Sequence, residues 1–208
     1  MGKGLFISLE GGEGAGKSTQ QVHIVEWFEA RGREVVETRE PGGTAVSEQI
    51  RQVLLDTRNA GLDRRAELLL MFAARTQLLQ QVIRPALAAG KVVISDRFSD
   101  ASYAYQGGGR EMGSKTVAVL EKFVHDDLQP DLTLLFDMPI ELGLQRVADR
   151  GHADRFETEA LQFFERVRNT YLKRAAEFPV RFRVIDAAQS EESVWQQVQD
   201  VLQEISSI

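Results

Sequence analysis

The run GGEGAGKST, Gly11 to Thr19, sets a lysine and two hydroxyls directly after closely spaced glycines. That order suits phosphate chemistry. Backbone N–H groups of such a loop and of the helix after it converge on phosphate oxygens, Lys17 reaches the β and γ phosphates, and Ser18 offers a hydroxyl to Mg²⁺. We therefore take Gly11, Gly12, Glu13, Gly14, Ala15, Gly16, Lys17, Ser18 and Thr19 as the candidate nucleotide-binding loop. Glu13 is the anomaly, a carboxylate inside a cradle for anions.

Two further stretches can handle phosphoryl groups. In SDRFSDASYAYQGGGR, Asp96 and Arg97 close an apolar run. An arginine there can hold a second phosphate bidentately, while the neighbouring carboxylate orients metal, water or that arginine. The bare dipeptide suits a structural ion pair equally well. In DRGHADRFE, residues 149–157, Arg150 and Arg155 stand five apart. Carried inward by a closing loop, an arginine stabilises the charge that develops on the equatorial oxygens of a transferring phosphoryl group. The alternative is a solvated charged connector.

The elements that must position these residues follow from the pattern around them. LFISLE (5–10) is a short apolar run leading into the glycines, and a helix is expected from Ser18 to the stop at Gly32. Similar runs recur at EVVETRE (34–40), KVVISD (91–96), DLTLLFD (131–137) and VRFRVID (180–186), separated by helix-length segments. This predicts an α/β fold with a five-stranded parallel sheet covered by helices on both faces. Ligands bind beyond the carboxyl ends of such strands, where Glu10, Glu40, Asp96 and Asp137 are expected to face one crevice. The long helical stretch from Asp63 to Ala89 should kink or end at Pro85. The glycines of QGGGR (106–110) and the charges of residues 148–157 predict two mobile loops.

The 208 residues, 43% of them apolar and 27% charged, fit one globular domain. No apolar run approaches the ~20 residues of a membrane span. The absence of cysteine excludes disulfides, thiolate metal sites and a thiolate nucleophile. A net charge of −6 argues against a general nucleic-acid surface. The N-terminal run leads straight into the glycine motif, so the expected location is cytoplasmic. His23, His125 and His152 lack metal-ligand spacing and are expected at the surface or as caps.

Taken together, the glycine loop with its internal acid, REPGGT (39–44), SDRF, AYQGGGR and DRGHADRFE resemble bacterial thymidylate kinases over essentially the whole chain. The resemblance implies a P-loop nucleoside monophosphate kinase fold spanning residues 1–208, with a lid near 146–157, and transfer of the ATP γ-phosphoryl group to dTMP for dTTP and DNA precursor synthesis. It also implies Mg²⁺, Ser18 being its candidate ligand, and a homodimer. The nearest subtype carries its catalytic arginine in the lid and has glycine in the P-loop where other members have arginine; that position here is Gly14 or Ala15. By the same resemblance Glu13 faces the acceptor sugar near its 3′-hydroxyl, which would explain the anomalous carboxylate.

Residue by residue, the resemblance assigns Arg97 to the dTMP phosphate, with Arg39 either assisting or bracing the EPGG turn. Arg75 goes to the thymine carbonyl, Gln106 to the base edge, Tyr105 to the sugar face where a 2′-hydroxyl would project, and Ser102 to the base. Arg150 and Arg155 are the lid arginines, and Asp96 organises Mg²⁺ water or Arg97. One position departs from the pattern. The stacking phenylalanine expected four residues before Arg75 is Met71, and Phe72 follows it, so either residue is a candidate to cover the base. Arg51 either approaches the base or forms a solvated ion pair. A P-loop GTPase is set aside, since no NKxD-like motif follows any strand and DRFSD is not a DxxG switch.

Overall fold

All five apolar runs are strands: β1 (Leu5–Gly11), β2 (Val35–Arg39), β3 (Val92–Asp96), β4 (Leu132–Asp137) and β5 (Phe182–Asp186). The computed structural model describes residues 4–148, 155–157 and 159–206. The strands form one parallel sheet in the order β2-β3-β1-β4-β5. Register brings Leu9 beside Asp96, Arg39 beside Asp96 and Gly11 beside Phe136, so β1, β2, β3 and β4 end along one edge. The chain turns to opposite sides of β1 at this edge, which opens a crevice there.

Helices α1 (Lys17–Glu29) and α9 (Glu191–Ser206) cover one face, packing Ile24, Trp27, Val198 and Leu202 on Ile7, Leu9 and Leu134. On the other face lie α3 (Arg64–Leu78), α4 (Arg84–Ala88) and α6 (Ser114–His125), where Leu68, Leu79 and Val117 meet Phe6 and Val93. The fold also includes α2 (Ala45–Leu55), α5 (Ser99–Ser102), α7 (Ile140–Ala148) and α8 (Leu161–Glu177).

Two expectations are revised here. Pro85 does not end the long helix, but the α-helical pattern breaks next to it: a π turn over Leu79–Ile83, closed by Arg84 N–H on Leu79 O, joins α3 to an α4 with Pro85 in its first turn. A widened turn accommodates the missing N–H of Pro85. The glycines of QGGGR belong to a second π-helical segment, Tyr103–Gly109, packed on α8. A Cβ on Gly108 would meet Thr170 Oγ1 at 2.0 Å, and one on Gly109 would meet the Phe163 ring at 2.5 Å. These glycines permit close packing; they do not make a loop. Most of the expected lid, residues 149–154, lies outside the described residues.

Candidate active site

A cavity of about 590 Å³ opens at the carboxyl edge of the sheet, between the glycine loop, α3 and the Tyr103–Gly109 segment. Glu13, Gly14, Ala15, Gly16, Lys17, Ser18 and Thr19 line it directly, while Gly11 and Gly12 lie behind. Gly14 has φ +70°, and a Cβ there would sit 2.3 Å from Gly143 O, so the loop rests backbone to backbone on α7. Lys17 Nζ donates to Gly11 O at 3.4 Å and Gly12 O at 3.2 Å. Burial, and then the Arg97 guanidinium, push its ammonium below the ordinary lysine range. Asp96 and Ser18 line the same cavity, and Asp96 Oδ1 is buried without a hydrogen-bond partner.

Glu13 is tied to side chains across the cavity from the loop. Its Oε1 accepts from Arg97 Nη2 at 2.7 Å and from the Tyr105 hydroxyl at 2.6 Å. Arg97 also donates to Gly11 O at 3.0 Å, and its guanidinium lies 4.7 Å from the Tyr105 ring centroid. Its φ of +71° is rare for a side-chain-bearing residue. Three bonds hold it: Arg97 N–H to Leu9 O at 2.9 Å, Ser95 Oγ to Arg97 O at 2.7 Å, and Phe98 N–H to Glu10 Oε1 at 2.7 Å. Such strain costs roughly 1–3 kcal/mol and persists where surrounding bonds over-determine it.

The four strand-end acids do not share one crevice. Asp96 and Glu40 line the cavity. Glu10 is buried beneath it, accepting from the Tyr171 hydroxyl at 2.7 Å, and burial followed by the charge of Asp100 raises its carboxyl to about 8. Asp137 is held bidentately by Arg168 at 2.8 and 2.9 Å.

One wall of the cavity is made by α3. Glu67, Met71 and Arg75 recur every four residues and so lie on one helical face. Arg75, 2% exposed, donates to Glu40 Oε2 at 2.6 Å, Phe98 O at 3.2 Å and Ser102 Oγ at 2.9 Å. Its Nη1 has no partner. Met71, Ser102, Tyr105 and Gln106 line the cavity with it. Phe72 does not: about 100° further round the helix, it is 3% exposed in the core, its ring 4.5 Å from the Arg75 guanidinium. Met71, and not Phe72, therefore faces the cavity. Arg39 borders the cavity while its Nη2 is paired with Glu48 at 3.1 Å, and Glu48 also accepts from Gly43 N–H at 2.8 Å, bracing the turn. Arg51, another cavity residue, donates to Pro41 O at 2.8 Å.

Of the two expected lid arginines, Arg150 lies outside the described residues. Arg155 is not part of the cavity wall. It is 4% exposed, donating to Leu54 O at 2.7 Å and Glu67 Oε2 at 2.6 Å, because the buried Glu67 carboxylate holds it behind the α3 wall. Two residues escaped the sequence reading. Arg146 of α7 lines the cavity and donates to Gly14 O at 3.4 Å. Glu67 collects Gln106, Arg110 and Arg155, and its four-residue spacing from Met71 could have revealed it. His125 is not a surface residue: it is 1% exposed against Phe98, and burial lowers its imidazole to about 3.

A glycine cradle at β1, a buried lysine and a second arginine-lined compartment define a P-loop phosphotransferase with a small-molecule acceptor. The thymidylate kinase family profile matches residues 9–198. A thymidylate kinase of Pseudomonas syringae pv. tomato is 54% identical over 97% of this chain and 96% of its own length. One from Pseudomonas putida is 55% identical over 96% and 95%. The crystal structure of the Ehrlichia chaffeensis thymidylate kinase, 34% identical, superposes with a TM-score of 0.78 over 97% of this chain and 99% of the other. The chain belongs to the thymidylate kinase family. Its activity is the ATP-dependent phosphorylation of dTMP to dTDP.

Proposed function

We propose that the reaction runs across the junction made by Glu13, Arg97 and Tyr105. The observation that carries this is their direct hydrogen bonding between the triphosphate loop and the Arg75 wall. ATP phosphates take the backbone N–H groups of residues 11–19 and Lys17; the dTMP phosphate takes Arg97 in exchange for part of its present pairing. Glu13 then accepts from the 3′-hydroxyl, and Tyr105 fills the space of a ribose 2′-hydroxyl. Arg75, Gln106, Ser102 and Met71 surround the base, and Arg39 braces the Glu40 turn. Arg146, beside Gly14, supplies positive charge on the ATP side, and Arg150 remains assigned to the lid by resemblance. A phosphate oxygen is already a nucleophile, so positioning and charge stabilisation supply the catalysis.

The residues present suit Mg²⁺. Asp96 Oδ1, buried and unpartnered, and the Ser18 hydroxyl are oxygen donors of the kind this ion takes, commonly through water. We assign Ser18 as ligand and Asp96 as the holder of its water; the ion would neutralise charge on the β and γ phosphates.

ADP release with dTMP, dUMP, dCMP, dAMP, dGMP, UMP and no acceptor tests the assignment. Strong turnover with dTMP and little with UMP is expected; acceptor-independent hydrolysis would overturn it. Arg97→Ala should raise the KM for dTMP about 30-fold, the equivalent of about 2 kcal/mol.

We propose one domain with its lid near 146–157, a cytoplasmic location, and a homodimer. Support for the dimer comes from Leu69 on α3 with Val119 and Phe123 on the adjoining α6, exposed by 57, 70 and 81%. Sedimentation as a monomer at micromolar concentration would end that part of the reading.

A further inference from the structure

We infer that Glu67 is a positioning residue that fixes acceptor specificity by setting which end of the Gln106 amide meets the base. Gln106 Nε2 donates to Glu67 Oε1 at 2.9 Å in a fully buried bond. The carboxylate also receives Arg110 Nε at 3.3 Å and Nη2 at 3.2 Å, and Arg155 Nη2 at 2.6 Å. It is an acceptor facing donors on every side. Rotating the Gln106 amide by half a turn would set its oxygen against a carboxylate oxygen, two acceptors at hydrogen-bond distance. The amide nitrogen is therefore committed to Glu67, and Oε1 is the end left for the cavity that Gln106 lines.

That orientation has a chemical consequence. Arg75, a side chain with donors only, lines the same wall, and its Nη1 is buried without a hydrogen-bond partner. A donor beside an acceptor complements a base edge that offers a carbonyl oxygen next to a ring N–H, as thymine and uracil do. Cytosine offers an amino group next to an unprotonated ring nitrogen, the reverse order. With the amide fixed, cytosine faces like against like. Without the fixing carboxylate, the amide can turn its nitrogen to the base and the mismatch at the ring nitrogen is relieved. Glu67 touches no substrate; it acts through Gln106.

The inference rests on the dTMP reading. A wild-type enzyme with no preference for dTMP over dCMP would sink that reading before Glu67 is altered. Given that preference, kcat and KM for dTMP, dUMP and dCMP are measured in wild type, Glu67→Gln and Glu67→Asp, alongside Tm. A glutamine at this position can present either a donor or an acceptor to Gln106, and an aspartate withdraws by one methylene while keeping its charge for the two arginines. In both variants the dTMP/dCMP ratio of kcat/KM should fall at least about tenfold, through dTMP and dCMP moving unequally, while the dTMP/dUMP ratio stays put. A structural role alone would lower Tm and slow all three acceptors in parallel, leaving the ratios unchanged; that result overturns the inference. Wild-type enzyme supplies a check independent of variant folding. In ¹⁵N-labelled protein the Gln106 side-chain amide protons should stay protected from exchange both with and without dTMP, and loss of protection on adding dTMP would also overturn it.

Discussion

The donor and acceptor halves of the cavity are built by different means. The donor half is largely backbone: Gly12 to Gly16 join β1 to α1 and rest on Gly143 of α7, with Lys17 and Ser18 opening the helix. The acceptor half is almost entirely side chain: Arg75 with Glu40, Phe98 and Ser102, and Glu67 with Gln106, Arg110 and Arg155. A backbone cradle fails where added volume meets other backbone, as at Gly14, and of its side chains only Lys17 and Ser18 carry assigned roles on the ATP side. A side-chain network tolerates volume changes at its rim but fails when one member of a buried pair goes.

The largest effect should come from the acceptor half. Arg75→Met leaves Glu40 buried beside an apolar chain, and removing one partner of such a pair costs about 3–5 kcal/mol. The double variant Arg75→Met/Glu40→Gln should recover a substantial part of the stability in urea titrations, because no unpaired charge remains, yet none of the dTMP affinity. Equal stability for the single and double variants would show that the pair does not behave as a unit. In the donor half the corresponding break needs only a methyl group. Gly14→Ala meets Gly143 O and an unfavourable φ, and should lose roughly 1–3 kcal/mol of transition-state or folding free energy. Gly12→Ala has open space and should stay within about 0.5 kcal/mol of wild type. Similar kcat/KM for both alanine variants would refute the backbone account.

The same contrast explains what could be read from the chain itself. The five strands, their parallel pairing and the phosphate loop were legible from short-range pattern: apolar runs of strand length alternating with helices, a glycine spacing, a helix start. Arg75, Ser102 and Tyr105 were placed on the acceptor side through resemblance, and the structure does bring them to one wall. For Glu67 the four-residue spacing from Met71 marks a shared helical face, but its burial and its partners, 39 to 88 residues away, leave no local signal. QGGGR misled for a related reason. Glycine signals freedom when read along the chain, but here the missing Cβ makes room for Thr170 and Phe163 of a helix roughly sixty residues on. His125 misled likewise, its burial coming from Phe98 and Phe72, which lie outside α6.

Glu10 lies where the two halves share a support, beneath Arg97 and bonded to Phe98 N–H and Tyr171, and it gives the comparison its finest test. Burial and the nearby Asp100 raise its carboxyl from 4.5 to about 8, so between these values the native state holds a proton that the unfolded chain has released. The sign follows directly: stability is fully present below about 4.5 and declines as pH rises toward about 8. The slope from this one group is on the order of 1 kcal/mol per pH unit. Glu10→Gln keeps an acceptor for Phe98 N–H but cannot ionise, so its stability relative to wild type should improve steadily across that interval. Parallel pH profiles for the two proteins would mean that Glu10 stays ionised in the fold. The strained Arg97 backbone would then rest on a charged carboxylate, and the junction between the halves would be held by charge where we have argued for a buried neutral acid.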